Sequence, residues 1–319
     1  MRRGKSGTLI AAAMCLAICA VQSDALFSQS KELTAAELVA KHLSSLGKAE
    51  AVAKVKTRGV FGDAAVQFIQ GGGGQLVDGQ FALGSEGRNV GMQLKFNDNK
   101  YPGEYFAYNG KEASVGNITP GQKSPIEDFV YRYSAIVKEG LLGGTMSVAW
   151  PLLNIQDRKP DLECKQEKVE DHNYYVLEYG SRKNLGDDLK VKLYFDPQTF
   201  HHVRTEYRVR IKNDSSALPG INAGMGSSTS GIDPNSTNRS RPDERQPTST
   251  IQTSQPDSIY VMIEKFSNFS TVDGIVLPKD YSIDYSVQGG QAFIAKWAVM
   301  VKFWKPNMPI VPAFFMAQK

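Results

Sequence analysis

Apolar and polar side chains alternate with a period of two along most of this chain, most clearly between Lys190 and Lys212. Val191, Leu193 and Phe195 share one face of a first arm, with Lys190, Lys192 and Tyr194 on the other. Beyond Asp196-Pro197-Gln198-Thr199, Val203, Thr205, Tyr207, Val209 and Ile211 alternate with Arg204, Glu206, Arg208 and Arg210. Successive side chains of a strand point to opposite faces, so the pattern predicts a hairpin with one dry face and one wet face. Asp196 can bond its own backbone, and Pro197 presets φ for the turn.

The same signal recurs on both sides. From Val55 to Ser114 it predicts a meander, with Val66 and Phe68, Phe81 and Leu83, Met92, Leu94 and Phe96, then Phe106 and Tyr108 as inward positions. Asn97-Asp98-Asn99 and Asn109-Gly110 punctuate it. The run Gly71 to Gly74 lacks the Gly-Lys-Ser/Thr of a phosphate cradle and reads as a hairpin tip. Strands are expected again near Trp150, at Leu162 to Cys164, at Tyr174 to Tyr179 and at Ile259 to Phe266. Val272-Asp273-Gly274 turns into a strand with Tyr281, Ile283, Tyr285 and Val287 on one face. Past Gly289-Gly290, Phe293, Ala295, Trp297, Val299, Val301 and Phe303 line one face of a long strand. Asn307 to Phe315 is expected to close the structure by packing on a barrel end.

Two stretches switch to the helical period. Thr34 and Glu37 form a capping box, Leu38, Val39, His42, Leu43 and Leu46 an apolar stripe, and Gly47 a stop. His42 on that stripe reads as a packed or partly exposed core histidine rather than a ligand, with no second His or Cys at metal spacing. Ser124 to Gly140 predicts one further helix, capped by Ser124, with Pro125 in the first turn and Glu127 and Asp128 behind it. Its stripe is Ile126, Phe129, Val130, Tyr133, Ile136 and Val137, and Gly140, Gly143 and Gly144 follow. An apolar helix inside a β chain must pack on a sheet or across a barrel mouth, and glycine joints let it move.

Composition changes the picture at the N-terminus and in one insertion. Arg2, Arg3 and Lys5 precede the short apolar run Leu9 to Val21, and Ser23-Asp24-Ala25 offers small residues to a signal peptidase. Residues 1–25 therefore read as a secretory signal with cleavage after Ala25, leaving one domain over 26–319 in the periplasm. A lipid anchor at Cys19 is the lesser alternative, because Ile18 stands where a lipobox wants a small residue. Cleavage removes three cations and Asp24, taking the formal charge from +4 to +2, which argues against nucleic acid as a partner. Cys164 then remains alone and reads as a half-buried strand residue. Residues 213–258 are rich in Ser, Thr, Pro, Gly and Asn and read as a disordered surface insertion.

Candidate chemistry is sparse. The chain has no nucleophile elbow, no His-Glu-x-x-His and no dinucleotide fingerprint. Carboxylates fall on wet faces, and adjacent His201 and His202 point to opposite sides of a strand. The expectation is a protein without catalytic residues, metal or cofactor. What the pattern does supply is an apolar set: Phe68, Phe81, Leu83, Met92, Leu94, Phe96, Phe106, Phe195, Tyr207, Tyr285, Trp297 and Phe303 on strands, with Phe129, Tyr133 and Val137 on the helix above. As core they fill a barrel; as a lining they suit an apolar ligand.

With these residues in place the chain resembles the LolA/LolB-like family of periplasmic outer-membrane lipoprotein-sorting proteins, as a larger, diverged member. The resemblance is carried by the helix Leu33 to Leu43 after the signal, and by Leu193-Tyr194-Phe195-Asp196-Pro197-Gln198-Thr199 leading into Val203-Arg204-Thr205-Glu206. Val272-Asp273-Gly274-Ile275-Val276-Leu277-Pro278 and the closing Asn307 to Phe315 complete it. It implies an open, incomplete antiparallel β-barrel with helices as plug or lid. It also implies a monomer that carries lipid or lipoprotein acyl chains towards the outer membrane, with inner- and outer-membrane envelope proteins as partners. The alternative is a non-catalytic envelope scaffold whose barrel core is filled. The long insertion and the glycine run depart from the compact carriers.

Overall fold

A computed structural model describes residues 33–116, 123–180, 188–212, 257–289 and 292–317. The expected signal at 1–25, with Cys15 and Cys19, and all but the last two residues of the 213–258 insertion lie outside them.

Among the described residues the architecture is mainly β: one antiparallel sheet of twelve strands that does not close into a barrel. The first half is a meander of β1 (Thr57–Gln70), β2 (Gly74–Glu86), β3 (Asn89–Lys95), β4 (Gly103–Tyr108) and β5 (Ala113–Val115). The second runs through β6 (Asp161–Val169), β7 (His172–Gly180), β8 (Leu189–Phe195), β9 (His202–Ile211), β10 (Ser258–Val272), β11 (Ile275–Gln288) and β12 (Phe293–Pro306). The halves join where β1 pairs with β12, so the outermost strands are β5 and β6.

The turns follow from residue chemistry. Asp196 Oδ1 accepts from the N–H of Gln198 at 3.0 Å and of Thr199 at 2.7 Å, closing the β8–β9 turn. Asp273 and Gly274, both left-handed, turn β10 into β11. β10 begins at Ser258, the last residue of the expected insertion, and Ser258 pairs with Ile211. The two ends of the insertion therefore emerge side by side. Replacing 213–256 with a short Gly-Ser loop is expected to change stability by only about 1 kcal/mol, because closure entropy grows slowly with loop length. Chemical denaturation of the deletion protein checks this, and material that aggregates instead would show a structured element there.

Two helices precede the sheet. α1 (Ala35–Ser45) carries the expected capping box between Thr34 and Glu37. α2 (Ala49–Lys54) is a single short stretch that the apolar pattern did not announce. α1 is tied down at its end, where Leu46 O accepts from Val276 N at 2.9 Å. Its buried face carries Leu38, Val39 and His42.

The expected single helix over Ser124 to Gly140 is two. α3 (Pro125–Arg132) has a capping box between Ser124 and Glu127, and α4 (Ala135–Lys138) follows a break at Tyr133 (φ −104°, ψ 51°). Trp150 lies on no strand. It precedes a 3₁₀ turn at Pro151–Asn154 and the short α5 (Ile155–Arg158).

The closing segment packs on the outer face of the sheet, not on a barrel end. Phe314 lies against Gly84 of β2 and Gly91 of β3, and a Cβ on Gly91 would stand 2.3 Å from Phe314 O. Glycine is required there because backbone crosses backbone at contact distance. Tyr105 Oη donates to Phe314 O at 2.8 Å and seals the tail down.

Candidate functional site

The concave face of the sheet is filled by the piece of chain that joins its two edges. Leaving β5, the chain passes through α3, α4 and a run of turns, and enters β6 beyond α5. We call residues 123–160 the plug. Gly140, Gly143 and Gly144 adopt left-handed backbone (φ 70°, 78° and 49°). A Cβ on Gly143 would meet Leu83 at 2.4 Å, and one on Gly144 would meet His202 and Phe266 at 2.9 Å. Both glycines therefore serve two needs, a backbone region that costs a residue with a side chain about 1–2 kcal/mol and a close approach to the wall. Leu141, Leu142, Met146, Ala149 and Trp150 are wholly without solvent contact. Side chains in that state have no water-sized space against them, so the interior around these five is filled.

Most of the apolar set expected from the sequence converges here. Phe81, Leu83, Met92, Leu94, Phe96, Phe106, Phe129, Val137, Phe195, Tyr207, Tyr285 and Trp297 are all buried in one continuous core. Phe129 meets Tyr133 at 5.2 Å and Tyr285 at 5.5 Å between ring centres, so the α3 stripe reaches β11. Phe68 and Tyr133 are partly buried and pack against the same core. Phe303 does not belong to it: it is 49% exposed. Phe61 pairs with Phe303 and Gly62 with Val301, leaving Lys302 as an extra residue in β12. A bulge of one residue inverts the alternation beyond it, which turns Phe303 outward beside Phe61.

The plug is fastened to the wall by a few polar groups, and here the expectation of carboxylates on wet faces fails. Glu264 of β10 is fully buried and accepts three hydrogen bonds, each 2.7 Å: from Tyr207 Oη, Tyr281 Oη and the plug's Gly143 N–H. Burial pushes its carboxyl up to about 7, against the opposing pull of these three donors. Arg58 of β1, also buried, donates to Thr145 O at 2.7 Å. Ser85 Oγ accepts from Val148 N at 2.9 Å, while within the plug itself Arg158 Nη2 donates to Ala149 O at 3.1 Å. At the other end of α3, Glu104 accepts from Tyr101 Oη and Ser124 Oγ, both at 2.7 Å. Burial first and the neighbouring Glu127 second hold the Glu104 carboxyl well above its usual range.

His42 is a packed core histidine, as expected, and it serves the plug. Trp150 Nε1 donates to His42 Nε2 at 3.3 Å, which leaves His42 Nδ1 to donate to Phe200 O at 3.0 Å. Burial lowers His42 to about 4. His202 lies 4.6 Å from the Trp150 ring and is likewise held neutral by burial. His201 faces the other way, against Phe269 at 4.4 Å.

The sequence pattern missed Trp150, Met146, Arg58 and Glu264. Residues 139–154 follow no strand or helix period, so their burial left no signature. Glu264 did leave one: it alternates with Met262 and Phe266 on the inward face of β10, and a carboxylate in that position signals a buried acceptor. Among the described residues no cluster of three or more His, Cys, Asp or Glu could hold a metal ion, and no helix is long and apolar enough to cross a membrane.

No protein-family model matches the chain, and no curated protein sequence matches it. Solved structures do. A LolA superfamily protein from Nitrosomonas europaea is 12% identical with a TM-score of 0.42, over 88% of this chain and 97% of its own. A domain described as an outer membrane lipoprotein-sorting protein from Vibrio parahaemolyticus is 11% identical with a TM-score of 0.34, over 86% of this chain and 97% of its own. The MucA/MucB complex of Pseudomonas aeruginosa contributes a chain 12% identical with a TM-score of 0.20, over 85% of this chain and 99% of its own.

Proposed function

We propose that this protein is a non-enzymatic periplasmic carrier that takes up lipid or lipoprotein acyl chains by exchanging its own plug for them, for transfer towards the outer membrane. The observation that supports this reading is the plug's connectivity. One continuous segment enters from one unpaired edge of the sheet and leaves into the other, so it can lift without breaking a strand ladder. Behind it stands a wall of large apolar side chains, among them Phe81, Leu83, Met92, Tyr207 and Tyr285. An acyl chain laid on that wall gains about 0.8 kcal/mol per methylene buried. Exchange of one apolar filling for another keeps the wall dry throughout. The basic, apolar and small-residue order of residues 1–25 supports export, and intact mass of protein recovered from the periplasm tests cleavage after Ala25.

Native mass spectrometry of the purified protein is the direct test, with co-purifying lipid as the expected result. A bare polypeptide mass, together with no displacement of a fluorescent fatty acid, would overturn the carrier reading. The filled interior around the plug's buried side chains favours the second reading in that event, a scaffold with a permanently filled core. Gly143→Ala sharpens the comparison. Left-handed backbone with a side chain costs about 1–2 kcal/mol, and the added methyl also crowds Leu83 in the closed form only. If closure is what limits entry, apparent affinity for the probe rises by about tenfold and uptake quickens in stopped-flow mixing. A variant that loses stability with no gain in uptake would place the plug in the permanent core.

A further inference from the structure

A second concavity lies beside the plug. It is a groove of about 590 Å³ between α1, α2 and the residues around Val148 and Leu153, within the range of small-molecule sites. Leu43, Val52, Val148 and Leu153 give it apolar walls, Arg58 forms part of its lining, and Lys56 stands exposed at its edge. None of its lining residues is acidic.

Arg58 is the anomaly. It is 3% exposed, it uses one N–H on Thr145 O, and among the described residues no carboxylate lies within ion-pair distance. Burial lowers its pKa only to about 10, so the guanidinium keeps its charge at neutral pH. Two other buried ionisable groups are answered. Glu264 has two tyrosines and a backbone N–H, and Arg158 has Glu139 at 3.9 Å. A buried charge without a counter-ion is unfavourable unless something supplies one. A guanidinium offers a planar fork of donors that fits a carboxylate or a phosphate with two parallel hydrogen bonds. A cation set against hydrocarbon walls matches a molecule that is acidic at one end and apolar along its length.

We propose that this groove binds a single-chain amphiphile with an anionic head, the head paired with Arg58 and the chain lying along Leu43, Val52 and Leu153. The proposal rests on the acyl-carrier reading and adds the head-group chemistry that the apolar wall cannot supply. Lys56 provides a second positive charge at the rim for a head with more than one negative charge. Val52 and Leu153 face the same space from α2 and from the plug, so an occupied groove also bears on the plug's seating.

The test uses the full chain and three ligands with the same saturated chain: myristate, myristoyl lysophosphatidic acid and tetradecanol, each competing with a fluorescent fatty acid. Both acids are expected to bind at least about tenfold tighter than the alcohol, the scale of one charge-assisted pair. Whichever acid binds tighter identifies the head. Arg58→Gln is expected to erase that preference while alcohol binding persists, and Arg58→Lys to restore part of it. Val52→Trp, which leaves Arg58 in place, is expected to weaken all three by filling the groove. Equal affinity of the parent for acid and alcohol, or a preference that survives Arg58→Gln, overturns the proposal and leaves the carrier reading standing. Binding of none of the three overturns both. The parent's own selectivity decides the matter even if Arg58→Gln fails to fold.

Discussion

Trp150→Ala is expected to lower stability by about 3–5 kcal/mol, the range for deleting a large aromatic from a closed core. The indole has no solvent contact, so the whole of its apolar surface is lost from a dry environment. Its neighbours cannot collapse into the space. His42 belongs to α1, which is tied to the start of β11 through Leu46 O, and His202 belongs to β9, a strand paired on both sides within the sheet. The substitution also removes the donor to His42 Nε2, leaving a second buried ring nitrogen unsatisfied beside His202 Nδ1, which already has no partner. Chemical denaturation gives the loss directly, provided the slope of the transition matches the parent. A loss below about 1 kcal/mol would mean that the plug's central residue lies outside the cooperative unit. In a carrier, saturating fatty acid should recover part of the deficit by mass action, because ligand binds only the folded state.

The sheet was legible because its rule is short-range. In β8, in β11 and in β9 beyond Val203 a residue's face depends only on whether its position is odd or even, and an antiparallel neighbour preserves that parity; at Val203 a register shift turns His202 inward against the count. The capping box at Thr34 and the N-cap at Ser124 were legible for the same reason, being set by residues within one turn; that Glu127 closes a second box at Ser124 came from the structure. Phe303 shows the limit. One extra residue at Lys302 breaks the parity, and nothing in the composition of β12 marks where the partner strand skips. The plug shows a different limit. Leu141, Leu142, Met146 and Trp150 are buried from all sides, so no polar face remains to set a period, and left-handed glycines replace regular structure. Tyr133 had the spacing of a continuous helix, yet the chain breaks there (φ −104°, ψ 51°), and side-chain spacing alone carries no mark of such a break. The site's polar fasteners depend on pairs far apart in sequence, such as Glu264 with Gly143, which no local pattern can join.

Glu264→Gln is expected to become more stable than the parent as pH rises, by about 3 kcal/mol at pH 8 and above. The sign follows from the direction of the shift. The carboxyl has an ordinary value of 4.5 and is raised to about 7 in the folded protein, burial being the main cause. Between those values the folded state holds a proton that the unfolded chain has released. The stabilising contribution is therefore complete below pH 4.5 and is lost as pH climbs through about 7. A gap of about 2.5 units at 1.36 kcal/mol per unit sets the size. Glutamine resembles the protonated acid in shape and charge: its oxygen can accept from Tyr281 and Gly143, and its amide can donate to Tyr207. It carries no proton to lose, so its stability lacks this slope. Other buried groups titrate nearby. His42 is lowered to about 4, and Glu127 is raised to about 7 chiefly by burial. Both are present in parent and variant, so the difference between the two stability curves isolates Glu264. The measurement is urea unfolding of both proteins from pH 5 to pH 9. Parallel curves would show that the three donors, rather than burial, set the charge of this carboxylate. Diverging curves would show that the hydrogen bond holding Gly143 of the plug ends on a group that ionises near neutral pH.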